Sequence, residues 1–426
     1  VNAFIALPMN VRLAALALLG FVVGSLINLG IYSLAWFARP ISPWQLRHTH
    51  APPRYWTDFV PVLGWLGLAR ESSLHGRWFW IRPPLIELAC AVAFPALYWW
   101  EITGHLAPKA LGVIAEPALI LQSQFIRHAI LLALMLVATF IDFDEKTIPD
   151  EITIPGTLCG LLLSAIWPTS ALPVVHLLVP APRLPPLAAY GPLLVTSSNS
   201  WPSWINGVWG LVIGLSIYIA WCVALIPALV TLRRGFRKAI AFYFASALRG
   251  NAWWKLLLLA VIGSTAIALV WDGAGGRWPA LFTSLVGLAF GGGLVWAVRI
   301  AGRLALHKEA MGFGDVTLLA MIGAFLGWQP CLMIFFGAPF LALLVAVIQA
   351  ISTGKRDIPY GPYLCGVAVL VIVFWPWFWG QFGPLFALGW LLPMVLAVCV
   401  VLMAAMLTLW RIIESQFFSG AKRRPS

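Results

Sequence analysis

Two acidic sites stand out in a chain that otherwise avoids charge. Asp142 lies in the run Ile141-Asp142-Phe143-Asp144-Glu145-Lys146-Thr147-Ile148-Pro149-Asp150, and Asp315 lies in Met311-Gly312-Phe313-Gly314-Asp315-Val316. Each sits at the border of a long apolar segment. A carboxylate there is costly unless solvated, paired or used, so each is a candidate functional group. Two such groups brought together form an acid/base pair. They cannot both ionise easily, so one keeps a proton. The ionised partner activates water against a peptide carbonyl. The other protonates the carbonyl oxygen and later the leaving amine. The expected chemistry is peptide hydrolysis by a shared-proton pair, described by apparent pKa values of the pair.

The residues around each acid fit that use. Five of the fifteen acidic residues fall between Asp142 and Glu151. On spacing alone, Asp144 or Asp150 serves as well as Asp142. Gly312 and Gly314 let backbone approach closely and clear space for an extended peptide beside Asp315. Asp315 then opens a helix, whose free amides favour a carboxylate.

The elements that must position these groups are membrane helices. The 426 residues are 61% hydrophobic and 10% charged, against about 25% charged in soluble domains. Apolar runs long enough to span a bilayer recur along the chain. The expected class is all-α, a polytopic helical membrane protein with about nine to eleven spans. The candidate spans are 11–37, 83–101, 127–143, 152–168, 205–231, 256–271, 279–299, 314–328, 331–352, 363–378 and 386–411. The first is too long for a signal-peptide core and is expected to remain as a helix.

Net charge is +12, but the basic residues are spread over loops, which argues against a nucleic-acid surface. With the N-terminus outside, the loops 38–82, 232–255, 300–313 and 353–362 and the tail after 411 are cytoplasmic. They hold 19 of the 27 Arg and Lys residues, the bias that the positive-inside rule requires. Loop 169–204 is Pro-rich, carries only Arg183 and is expected outside as an irregular loop with short interfacial pieces. Segment 232–255 reads as a basic amphipathic stretch able to rest on anionic lipid. Asp142 and Asp315 then fall on one membrane face at similar depth.

Six cysteines lie in or beside apolar segments without C-x-x-C spacing, so neither disulfides nor a thiolate metal site is expected. His128 and His176 show no matching partners and receive no role. Gly287-x-x-x-Gly291 and Gly291-Gly292-Gly293 read as close helix packing.

Five ordered elements now carry a resemblance. Asp142 with Pro149-Asp150, Gly312-Phe313-Gly314-Asp315, Ile358-Pro359-Tyr360-Gly361-Pro362, Gly24-Ser25-Leu26-Ile27-Asn28, and the stretch from Asp58 to Trp65 with Arg82-Pro83-Pro84 resemble the type IV prepilin peptidases. The resemblance covers roughly 20–165 and 280–380. It implies a catalytic pair of Asp142 and Asp315; Asp144, Asp150, Gly312 and Gly314 are candidates to assist, and Pro359, Gly361 and Pro362 are expected to form substrate-site backbone. It further implies prepilin or pseudopilin substrates of pilus or type II secretion systems. They would be cut after a Gly at the cytoplasmic face of the bacterial inner membrane, with membrane lipid as the surrounding partner. Many members bind zinc through two C-x-x-C pairs in the first cytoplasmic loop. Residues 38–82 hold no Cys, only His48, His50 and His75. No cofactor is therefore expected. Zinc is not expected, and S-adenosylmethionine enters only if the family's methyltransferase activity is retained. Thr317 stands where a Lys is common.

The resulting organisation is a first helix (1–37), a loop domain (38–82), a membrane core with the first Asp (83–168), an insertion with an extra helix pair (169–278), a core with the GFGD motif (279–378), and an added helix with a basic tail (379–426). Two other functions fit parts of the pattern. A proton-coupled transporter would use the Asp pair as a relay and needs acids near mid-membrane. A non-catalytic scaffold for pilus or secretion assembly would tolerate the missing cysteines and the insertion.

Overall fold

The computed structural model describes residues 2–37, 39–46, 48, 50–108, 113–114, 117–177, 188–197, 199–225, 253–273, 276–306, 311–352, 359–389 and 391–417. The main helices are α1 (Met9–Leu34), α2 (Arg82–Ile102), α3 (Ala118–Glu145), α4 (Asp150–Ile166), α5 (Val208–Ala224) and α6 (Trp253–Asp272). They continue as α7 (Arg277–Leu306), α8 (Phe313–Leu326), α9 (Trp328–Ser352), α10 (Gly361–Val373), α11 (Trp375–Phe386) and α12 (Leu391–Phe417).

The chain is an all-α polytopic bundle. Among the described residues, six helices are long and apolar enough to cross a membrane. The pair α10 and α11, bent by 95° at their junction, makes a seventh if counted as one broken span. The nine to eleven spans expected also counted shorter elements: α4 and α5 have 17 residues each, α8 has 14, and the described apolar part of α12 runs over Leu391–Met403. Helix α8 shows why a short helix suffices: every residue from Asp315 to Leu326 is buried. Protein rather than lipid surrounds it, as an all-round apolar helix demands.

Helix α8 is the axis of the fold. It packs along α7 and contacts α3, α4, α9 and α10. The α7 contact is close because Gly287 meets the backbone of Gly323 and Gly291 meets that of Leu319, the packing use expected of those glycines. Arg127, near the start of α3, bonds the carbonyl oxygen of Phe325 at the end of α8. Ile148, just beyond α3, lies against Gly314 at the start of α8. The two helices therefore run antiparallel.

The sequence placed the third span at 127–143, but α3 begins at Ala118. The polar residues of its first turns are buried, and several are bonded. Gln122 donates to Tyr98, and His128 Nδ1 lies 2.8 Å from Glu101 Oε1. His128, read as partnerless, thus has a partner. The expected span 363–378 is likewise broken at Phe374.

At the end of the bundle away from Asp142 and Asp315, the Pro-rich segment contributes strands. β2 (Pro173–Leu177) pairs antiparallel with β3 (Ala188–Pro192), and β3 pairs in parallel with β1 (Val113–Ile114). Trp375 Nε1 donates to Pro173 O at 2.7 Å, and Trp328 Nε1 to Val195 O at 2.8 Å. Indole anchors thus fix a segment that its prolines mark as irregular. His176 lies in β2. In the expected insertion, α5 packs on α6; residues 226–252, including most of the basic stretch, lie outside the described residues.

Candidate active site

Asp142 sits in the last turn of α3 and is 5% exposed; Asp315 is the third residue of α8 and is 8% exposed. Lys146 ends α3 in the left-handed conformation (φ 55°), donating its amide to Asp142 O. Pro149 then starts α4 after only Thr147 and Ile148. This short link drives Ile148 against Gly314: a methyl on Gly314 would stand 2.9 Å from Ile148 Cβ. The α3 end is thereby held against the α8 start, and the two carboxylates lie within electrostatic reach of each other.

A third element closes the site. The Gly361 amide, at the start of α10, donates to Asp142 Oδ2 at 3.1 Å. A Cβ at 361 would lie 2.6 Å from that oxygen, so the approach requires glycine. Pro362 follows at a position where a helix needs no amide donor. The Gly312 backbone lies close to the Asp315 carboxylate. Pro359 is half-buried, and Gly361 and Pro362 are buried. Residues 353–358, including Ile358, lie outside the described residues. Tyr360 is within electrostatic reach of Asp315, and Cys365 of both acids. Neither was a sequence candidate. Their signal was the helix spacing behind Gly361, which points Cys365 one turn further into the same wall.

The other acids of the run go elsewhere. Asp144 takes a bidentate bond from Arg82, at 2.7 and 2.8 Å. Glu145 accepts the amides of Trp36 and Phe37 at 2.7 and 3.1 Å. Asp150 is exposed in the first turn of α4. Asp142 is the acid of this run that the fold brings to Asp315.

The loop domain packs on this end of the bundle. Glu87 of α2 organises it, accepting bonds from Ser25, Asn28, the Val62 amide and the Trp65 indole. Within the loop, Arg70 pairs with Asp58, while Arg54 and His75 both face Glu71. His48 has ring neighbours in His50 and His75, with centroids 5.7 and 6.5 Å away. Among the described residues, no three His, Cys, Asp or Glu side chains gather as a metal centre would require. Glu71, the acid beside these imidazoles, is shared between Arg54 and His75.

The type IV leader peptidase family model matches residues 251–347, a stretch containing Asp315 but not Asp142. A prepilin leader peptidase/N-methyltransferase of Stutzerimonas stutzeri is 31% identical over 162 residues, covering 32% of this chain and 53% of the relative. Its counterpart in Pseudomonas aeruginosa is 32% identical over 137 residues, covering 29% and 47%. That of Escherichia coli is 30% identical over 99 residues, covering 23% and 44%. The chain spans about half the length of these curated relatives. No solved structure matches. The resemblance carried by the motifs is therefore met by the family model and by curated relatives alike: this chain is similar to the type IV leader peptidases.

Proposed function

We propose that the chain is a membrane-embedded aspartic endopeptidase that removes leader peptides from prepilin-like substrates at the cytoplasmic face of the inner membrane. The observation that carries this reading is the meeting of Asp142 and Asp315 at one end of antiparallel α3 and α8, with the Gly361 amide fixing Asp142. The curated relatives' names supply the substrate class.

One carboxylate takes a proton from water as its oxygen bonds to the scissile carbonyl carbon. The other donates its proton to the carbonyl oxygen. Collapse of the tetrahedral species breaks the C–N bond, and the pair passes the proton taken from water to the leaving amine. The Gly361 amide fixes one oxygen of Asp142, so its remaining lone pairs are aimed rather than free to rotate. Gly312 and Gly314 leave the α8 approach without side chains, matching an extended peptide. The cytoplasmic orientation is supported by the Arg-rich loop 38–82, which packs at the same end as the pair. Both acids lie at helix ends, whereas a proton relay would set them near mid-membrane.

The test is cleavage of a prepilin leader by the full chain in reconstituted membranes, comparing Asp142→Asn and Asp315→Asn with the parent. Cleavage by the parent that is lost in both variants supports the pair. Undiminished cleavage by either variant sinks it.

A further inference from the structure

A cavity of about 740 Å³ lies beside the candidate active site, between the loop domain and the ends of α1, α2 and α3. That volume is in the range of small-ligand sites. Its walls are unbalanced in charge. Among the described residues that line it, Arg39, Arg77 and Arg82, with His48 and His75, stand against one acid, Asp144. Both oxygens of Asp144 are already held by Arg82. Among the described residues, Arg39 and Arg77 have no carboxylate within salt-bridge distance, and Glu145, which shares a small adjoining cavity with Arg39, is taken by the Trp36 and Phe37 amides, so neither guanidinium is held in an ion pair. Guanidinium groups match the planar, multidentate oxygens of a phosphate.

The remaining wall is apolar, with Ile41, Leu74 and Phe79. A bare inorganic anion has no use for it. The cavity also opens at helix ends: Tyr32 is in the last turns of α1 and Arg82 is the first residue of α2. Trp78 lines the cavity and is 63% exposed, and the chain just before Arg39 carries two more exposed rings, Trp36 at 85% and Phe37 at 71%. Aromatic rings at helix ends sit at the headgroup level of a bilayer. Phosphate-binding charge, an apolar wall and an aromatic rim therefore coincide.

We propose that this cavity holds the phosphate of an anionic phospholipid headgroup between Arg39 and Arg77, with the glycerol and upper acyl part against Ile41, Leu74 and Phe79. Because Arg82 and Asp144 form its inner wall, an occupied cavity braces the loop domain on the last turn of α3, two residues from Asp142. The occupant is a lipid that stays with the protein, distinct from the diffuse attraction of a basic surface.

The experiment is native mass spectrometry of the full chain released from bilayers of phosphatidylcholine with added phosphatidylglycerol. It is done without substrate, so its outcome is independent of peptide cleavage. The parent is expected to retain phosphatidylglycerol in preference to phosphatidylcholine. Arg39→Gln with Arg77→Gln should bind it about tenfold more weakly. Lys255→Gln with Arg303→Gln, which removes the same charge from other helix ends of that face, should bind like the parent. Thermal unfolding checks that both pairs remain folded, and Arg39→Gln alone should show a partial loss if the pair does not. Equal retention by all proteins overturns the site, and equal loss in both double variants reduces it to a diffuse field. Displacement of the lipid by millimolar inorganic phosphate overturns the lipid as occupant in favour of a free anion.

Discussion

Arg127 Nε donates to the carbonyl oxygen of Phe325 at 2.7 Å, joining the start of α3 to the end of α8. The same guanidinium reaches Ala324 O, Ser170 Oγ and Ser284 Oγ, and is 2% exposed. Carbonyls at a helix C-terminus lack intrahelical partners and carry the negative end of the dipole. Arg127 caps α8 with a full charge. Asp142 ends α3 and Asp315 opens α8, so a contact at one end of this antiparallel pair sets the register of the carboxylates at the other.

Arg127→Met should therefore lower both stability and cleavage. Losing charge-assisted bonds while stranding buried carbonyls costs about 2–5 kcal/mol, measurable by denaturant unfolding in mild detergent. Cleavage should fall by about tenfold or more even at temperatures where the variant stays folded, because misplacement by an ångström is enough. A folded variant cleaving at the parent rate would show that register is set elsewhere.

Gly361→Ala isolates the α10 contribution. The added methyl would stand 2.6 Å from Asp142 Oδ2, so carboxylate or helix must shift. Alanine suits a helix start, so melting should change little. Cleavage should fall by about 10²-fold, read in single-turnover assays. An alanine variant with normal turnover would mean that the Gly361 amide does not position Asp142.

The two Asp motifs were legible because their chemistry is local: a carboxylate at a membrane border, flanked by residues that end or start a helix. What sequence missed is long-range. The start of α3 was placed at 127 rather than 118, and His128 was left without a partner, because the partners of this polar stretch lie as far as 198 residues along the chain. Glu101 supplies the partner for His128, and α8 those for Arg127. The Pro-rich segment looked irregular because nothing local announces that Trp328 and Trp375 will pin it. Among Asp142, Asp144 and Asp150, spacing left the choice open; burial and the Arg82 pair distinguish them.

That distinction gives a sharp comparison. Arg82 and Asp144 are 34% and 25% exposed at their side chains, and such partly exposed pairs contribute about 1 kcal/mol or less. Asp144→Asn should leave cleavage within about threefold of the parent, a change of that same size. Asp142→Asn should abolish it. Equal loss in both would return the catalytic assignment within this run to an open choice.

The loop domain carries its own pH signature through Asp58. Burial alone would raise the pKa of this carboxyl, but bonds from Arg70 and the Tyr55 amide, with the Arg70 and Arg54 charges, outweigh it. The net shift is downward. Folded Asp58 thus binds a proton less readily than the unfolded chain, whose carboxyl titrates near about 3.9. Its stabilisation is complete above that unfolded value and is lost as pH falls through the lower folded value. His75, whose pKa burial depresses against the pull of Glu71, acts in the same direction from about pH 6.5 downward. Limited proteolysis should therefore cut within 39–81 increasingly as pH falls from about 6.5 to about 3, at positions protected at neutral pH. Asp58→Asn should expose the same sites at pH 7 and flatten the lower part of that dependence. Protection unchanged down to about pH 3 in the parent would mean that packing on Glu87, rather than the Asp58–Arg70 pair, holds the domain in place.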